Sequence, residues 1–398
     1  MEELLRGSGH AASIGLHQGK TVFEPCARAR TWGSGEFGFA PDEHAPPGGV
    51  PALRAALAQA ATARRQSAVS PEQVLVTSGG TQALAAALHA ILREGDEVLV
   101  LSPQWLFTNG LIRAAGGVPR EVPVFLELGA GRGFDFAGVV ERAVAPRTRA
   151  IYFNSPNNPT GYRLDGCRLG ALADLAERHG LWLIADNTYE NYDFTREGFL
   201  DIGAVGATAA RTFSVHSFST TYAIPGARVG CLISPPGLTE PPAKWSQYRP
   251  RSVSTPAQFA VYEALRTPRE ELDRRRDHAA AAGWLADSTL EVPHTKASGG
   301  LYTFLDLSAW GDGERFVHRC AELGVGLAPG RGFGAHCRNW ARLCFTAAPS
   351  QRVAEAIERI NTIYGEGIDE HGDDHPRTLG NRSAGLPRRC SRDANGDL

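Results

Sequence analysis

Lysine is nearly absent from this chain. Of 41 basic residues among 398, only Lys20, Lys244 and Lys296 are lysines; the rest are arginines. Few side chains could therefore serve as a nucleophilic amine. Paired cysteines are missing too. The seven cysteines are odd in number and show no C-x-x-C spacing. That argues against a disulfide framework or a zinc site, and for free thiols in a reducing cytoplasm. No apolar run approaches the ~20 residues that cross a bilayer, and Met1-Glu-Glu-Leu-Leu-Arg6 lacks the apolar core of a signal peptide. A net charge of −2 gives no electrostatic case for nucleic acid or an anionic membrane. A hydrophobic content of 42% with 21% charged residues is a globular balance.

The strand signals are short, β-branched runs that end in turn residues. They are Gln73–Thr77, Glu97–Pro103, Arg149–Phe153, Leu181–Asp186 and Arg211–His216. Helical, alanine-rich segments separate several of them, and residues from about 288 to 363 alternate strand and helix signals. One helix is expected to about Arg65, another over Cys167–His179, and a long charged one over Pro256–Asp287. After Tyr364 apolar residues almost vanish, predicting a disordered tail. His371, Asp373, Asp374 and His375 in that tail read as solvated groups, so no metal site is expected.

Several stretches suggest chemistry. Ser78-Gly-Gly-Thr81 opens a helix after a strand, where backbone N–H groups and the helix dipole favour an anion. Asn154-Ser-Pro-Asn-Asn-Pro-Thr-Gly161 follows a buried strand. Asp186-Asn-Thr-Tyr189 ends another. Ser217-Phe-Ser-Thr-Thr-Tyr-Ala-Ile-Pro-Gly-Ala-Arg-Val-Gly230 follows a third. Together these resemble the class I/II aminotransferases, which use pyridoxal 5′-phosphate (PLP) on the fold type I scaffold. The resemblance spans about residues 15–363.

The resemblance implies a large domain with a mostly parallel, seven-stranded sheet flanked by helices, and a smaller α/β domain built from both chain ends. The expected boundaries are 1–45 for an N-terminal arm and part of the small domain, 46–287 for the PLP-binding domain, 288–363 for the C-terminal small domain, and 364–398 for the tail. It implies a homodimer with shared active sites, acting on an amino acid or its 2-oxo acid. Gly80, Thr81, Ser217 and Arg228 would hold the phosphate; a serine hydroxyl and a forked guanidinium suit a dianion. Trp105 would stack on the pyridine ring. Asp186 would pair with the ring nitrogen, and Tyr189 and Asn158 would bond the phenolic oxygen. Arg342 would clamp the substrate carboxylate, with Asn158 also at the substrate and Gly19 at the glycine of the N-terminal substrate segment. His44, where the family has a tyrosine, would donate to the partner's phosphate or act as acid or base. Lys20 is either a surface charge or a group at the active-site mouth, and Arg249 and Arg251 are either exposed charges or readers of a second acidic group.

One position departs from the pattern. Thr220 stands where the family has its Schiff-base lysine. A threonine hydroxyl is neutral at pH 7 and forms no imine, so cofactor binding is expected to be non-covalent. Four outcomes stay open. The first is an enzyme using PLP or pyridoxamine 5′-phosphate with His44, His216, Tyr189 or Tyr222 as base. The others are an inactive binding partner of an active homologue, a Lys-to-Thr variant of an ordinary aminotransferase, and an enzyme whose amine comes from elsewhere, for which Lys20 is the candidate.

Overall fold

The computed structural model describes residues 1–10, 12–30, 44–129 and 134–371, with side chains to 366. Its frame is a seven-stranded sheet. Five of its strands, in chain order, are β2 (Val74–Thr77), β3 (Glu97–Leu101), β4 (Val118–Val122), β5 (Thr148–Asn154) and β6 (Trp182–Asp186). The others are β7 (Thr212–Ser217) and β8 (Gly230–Ile233), and the spatial order is β2-β8-β7-β6-β5-β3-β4. β3 pairs in parallel with β4 and β5, and β6 with β5 and β7; β8 pairs antiparallel with β2 and β7. Covered on both sides, the central strands carry apolar residues at nearly every position.

Alternation sends the two sets to different cores. Leu99, Leu101, Ile151, Phe153, Leu183 and Ala185 pack with the helix Gly166–His179. Val98, Val100, Ala150, Tyr152, Ile184 and Val215 pack against the helix Gly79–Ile91. Burying one such side chain is worth roughly 1.5–3 kcal/mol, so these two layers supply much of the hydrophobic stabilisation of the large domain.

A separate core joins the two ends of the chain. Ile14 and Leu16 pack with residues from Ala279 to Ile363. There β1 (Ile14–Gly15) pairs in parallel with β10 (Val325–Gly326). A three-stranded sheet runs β11 (Ala328–Pro329), β12 (Trp340–Cys344), β9 (Tyr302–Asp306). The helix read over 256–287 is two helices, Thr255–Ala264 and Arg269–Thr289. Pro268 explains the break: its missing N–H and fixed φ suit a helix start and not an interior. The last helix, Ser350–His371, runs beyond the boundary at 364. The rest of the expected tail, residues 372–398, lies outside the described residues, as do the side chains of 367–371.

The six described cysteines form no disulfide. Among the described residues there is no group of three or more His, Cys, Asp or Glu able to hold a metal ion, and no helix long and apolar enough to cross a membrane.

Candidate active site

In a parallel sheet, ligands bind beyond the carboxyl ends of the strands, where chain ends and helix starts converge. Here β2 leads into Ser78–Thr81, β5 ends at Asn154, β6 at Asp186 and β7 at Ser217. β8 runs the other way, so its beginning, just after Arg228, lies at the same edge. Between these ends lies a cavity of about 160 Å³. Its lining includes Gly80, Thr81, Trp105, Asn158, Asp186, Tyr189, Ser217 and Arg228, eight residues singled out from sequence. Asn154, Thr188 and Ser219 also line it.

One end of the cavity gathers groups that suit an anion. The first N–H groups of a helix lack intrahelical partners. At the helix Gly79–Ile91 the preceding Ser78 N–H is taken by Gln82 Oε1 at 2.6 Å, and Gly80 and Thr81 face the cavity. Gly79 has φ +77°, and a Cβ there would lie 2.8 Å from Arg228 Nη2. Glycine is what lets this guanidinium close over the helix start. Arg228 is itself left-handed, φ +53°, and is steadied by Nη1 donating to Pro225 O at 3.1 Å.

The other end holds a buried carboxylate. Asp186 accepts from Tyr152 Oη at 3.0 Å, from Thr188 Oγ1 at 2.6 Å and from Thr188 N at 3.1 Å. Burial pushes its pKa up, and these donors oppose the rise only in part. Asn154 ties the neighbouring loops together: its Nδ2 donates to Asp186 O at 2.8 Å and its Oδ1 accepts from Asn158 N at 2.7 Å.

Arg342 reaches the same region from β12. Nη1 donates to Asn158 Oδ1 at 2.9 Å and Nη2 to His17 O at 2.6 Å. Nε has no partner among the described residues. The guanidinium is buried, 4.4 Å from the ring centroid of Tyr302 and 5.0 Å from that of Phe333. A buried cation resting on neutral acceptors and ring faces is short of a counter-charge.

Other sequence candidates lie elsewhere. Thr220 is half-buried and is not among the lining residues; its carbonyl accepts from Tyr192 Oη at 3.4 Å. His216 is buried away from the lining, with Nδ1 3.1 Å from Glu190 Oε2 and Nε2 unpartnered among the described residues. Burial alone would raise the Glu190 pKa, but Arg64 and His216 hold it low. Tyr222 packs against Phe218, and burial pushes its phenol up to about 12. His44 is exposed, and Gly19 sits beneath the Tyr302 hydroxyl; neither lines the cavity. No lysine lines it either: the Lys20 and Lys244 side chains are exposed, and Lys296 pairs with Asp287 at 3.6 Å. Arg249 lies 5.0 Å over Trp245 and lines an adjoining cavity that shares Thr81 and Arg228. Arg251 is a left-handed loop residue, φ +34°.

Sequence reasoning missed Tyr152, Thr188, Ser219, Asn154, Gly79 and Tyr302. Asn154, Thr188, Ser219 and Gly79 fall inside motifs already singled out, so proximity to them was the available signal. Tyr302 lies 113 residues from Tyr189, its hydrogen-bond partner, and no motif marks it.

The chain resembles known proteins over most of its length. The family model for aminotransferase class I and II matches residues 42–360. The aspartate/prephenate aminotransferase of Thermus thermophilus is 36% identical over 336 residues, covering 81% of this chain and 83% of its own. A solved structure of a Thermus thermophilus aspartate aminotransferase double mutant superposes with a TM-score of 0.83 at 32% identity, covering 90% of this chain and 93% of that one. The aromatic aminotransferase of Pyrococcus horikoshii also gives 0.83, at 25% identity, covering 93% and 99%.

Proposed function

The chain belongs to the class I and II aminotransferase family, and from that premise we propose that it holds PLP or pyridoxamine 5′-phosphate non-covalently and binds an amino acid or its 2-oxo acid beside it. Its amino-transfer chemistry is altered or weakened because Thr220 occupies the lysine position. One observation carries this reading: a single cavity has an anion-binding end at Thr81, Ser217 and Arg228 and a buried carboxylate, Asp186, as well. That donor set fits a flat cationic ring bearing a phosphate.

Each residue has a task in this reading. Arg228, Ser217, Thr81 and the helix start neutralise the phosphate. Asp186 meets the ring nitrogen; a cation beside it favours the ionised carboxylate that burial alone disfavours. Trp105 covers a ring face, and Asn158 and Tyr189 bond the ring oxygen. Arg342, with its unpaired Nε, receives the substrate carboxylate. The bound cofactor would act as an electron sink for the substrate carbon that loses its proton.

The proton itself is the difficulty. The hydroxyls of Ser217, Ser219, Thr188 and Tyr189 are neutral near pH 7, and burial raises the Tyr189 phenol well above its ordinary value. Loss of a positioned base costs roughly 10²–10⁴-fold. The lysine-free lining equally favours a second reading, a protein that binds cofactor and amino acid without turnover, whether as partner of an active homologue or as a Lys-to-Thr variant. We also propose a homodimer, in which the exposed His44 reaches a neighbouring phosphate site.

The test is dialysis equilibrium with PLP followed by absorption spectra with aspartate and aromatic amino acids, the substrates for which the relatives are named. Retained cofactor, lost on Arg228→Ala, supports the site. Slow spectral change with product formation separates the enzyme from the binding protein. No retention by the wild type refutes the reading.

A further inference from the structure

Tyr302 joins the two halves of the proposed site. Its hydroxyl lies 2.8 Å from that of Tyr189, with the rings edge to face at 87°. Both side chains are buried, but Tyr189 lines the cavity while Tyr302 stands behind it. The ring of Tyr302 carries the Arg342 guanidinium at 4.4 Å. Strand register explains that contact. Arg342 on β12 faces Phe304 on β9, so Tyr302, two residues along, is its diagonal neighbour on the same face.

The hydroxyl is the informative atom. A phenylalanine would fill the core equally well, whereas a buried hydroxyl costs free energy unless it is bonded. The N-terminal segment makes room for it: a Cβ on Gly19 would collide with Tyr302 Oη. Gly19, expected from sequence to serve the substrate, is the seat of this phenol. Both phenols are neutral near pH 7, with Tyr302 pushed up to about 12 by burial. One hydrogen then lies between the two oxygens. If Tyr302 donates it, the hydrogen of Tyr189 is free to point into the cavity.

We propose that Tyr302 is a positioning residue: its hydroxyl, admitted by Gly19, donates to Tyr189 and frees that phenol's hydrogen for the cofactor, while its ring supports Arg342 for the substrate carboxylate. This rests on the function proposed above and extends it to a residue behind the cavity wall. Cofactor grip and carboxylate grip are then separable functions of one side chain.

The experiment measures dissociation constants for PLP by tryptophan fluorescence and for a 2-oxo acid on the PLP-loaded protein. Tyr302→Phe removes the hydroxyl alone. PLP binding weakens roughly tenfold, the scale of one hydrogen bond, while 2-oxo acid binding stays within about twofold. Tyr302→Leu removes the ring face as well and weakens both. Gly19→Ala weakens PLP binding in wild type and costs less in Tyr302→Phe, because the oxygen it strikes is gone and the ring carbon left at 3.1 Å needs only a small shift. A loss of PLP affinity with 2-oxo acid affinity kept is the signature a merely structural role would not give, and the non-additivity shows that Gly19 acts through the Tyr302 oxygen. Unchanged PLP affinity in Tyr302→Phe, or additive loss in the double variant, overturns the proposal while leaving the cofactor site standing. Failure of the wild type to bind PLP overturns both. If Tyr302→Leu does not fold, the phenylalanine and glycine variants decide the matter.

Discussion

Replacing Arg342 by alanine separates substrate binding from cofactor binding. The guanidinium is 6% exposed, and its partners among the described residues are the neutral Asn158 Oδ1 and His17 O. A carboxylate docking against it would make two charge-assisted bonds. At about 1.5–3 kcal/mol each, and about 1.4 kcal/mol per factor of ten, their sum corresponds to roughly 10²–10⁴-fold in affinity. The arginine has already left water on folding, so the opposing desolvation is that of the carboxylate alone. The cofactor side loses less. Arg342 does not line the cavity; its removal frees one acceptor on Asn158, worth about 1 kcal/mol and so at most about tenfold. Calorimetric titration of a 2-oxo acid into PLP-loaded protein reads the first effect, and titration of PLP itself reads the second. Losses of equal size would refute the reasoning, since they would make Arg342 a general support of the pocket. Arg342→Lys keeps the charge but not the fork, and should fall between wild type and alanine.

Two further outcomes follow from the same geometry. Thr220→Lys places a four-carbon amine on the anchoring loop. It should add the mass of the cofactor to the chain after borohydride treatment and raise transamination by roughly 10²–10⁴-fold; a folded variant with no added mass would mean that Thr220 is not the lysine position. Asp186 has a folded pKa above its unfolded value, so between the two the native state binds more protons and stability without cofactor falls as pH rises. Asp186→Asn removes that dependence. Its melting temperature relative to wild type should increase from pH 4 to pH 7, and a flat difference would count against a buried, strained carboxylate.

The site was largely legible because its residues fall in short motifs at strand ends. Local rules are enough to put Thr81 at a helix start and Asp186 and Ser217 at the ends of buried strands. In a parallel sheet such ends share one edge, so the motifs converge without any knowledge of long-range contacts. The same local reading failed at Leu265–Pro268, where alanine-rich sequence on both sides concealed a break between two helices.

By itself, the sequence determined the strand-end motifs that line the cavity and the scarcity of lysine, because turn chemistry and composition are written in neighbouring residues; the α/β class was read through the family resemblance those motifs carry. Tertiary structure alone decided which candidates share a cavity. It turned His216 toward Glu190 and Tyr222 into a core, kept every lysine out of the lining, and brought Gly19, Tyr302, Tyr189 and Arg342 together from distant parts of the chain. Those contacts depend on strand pairing and packing between segments far apart in sequence, which no local pattern encodes.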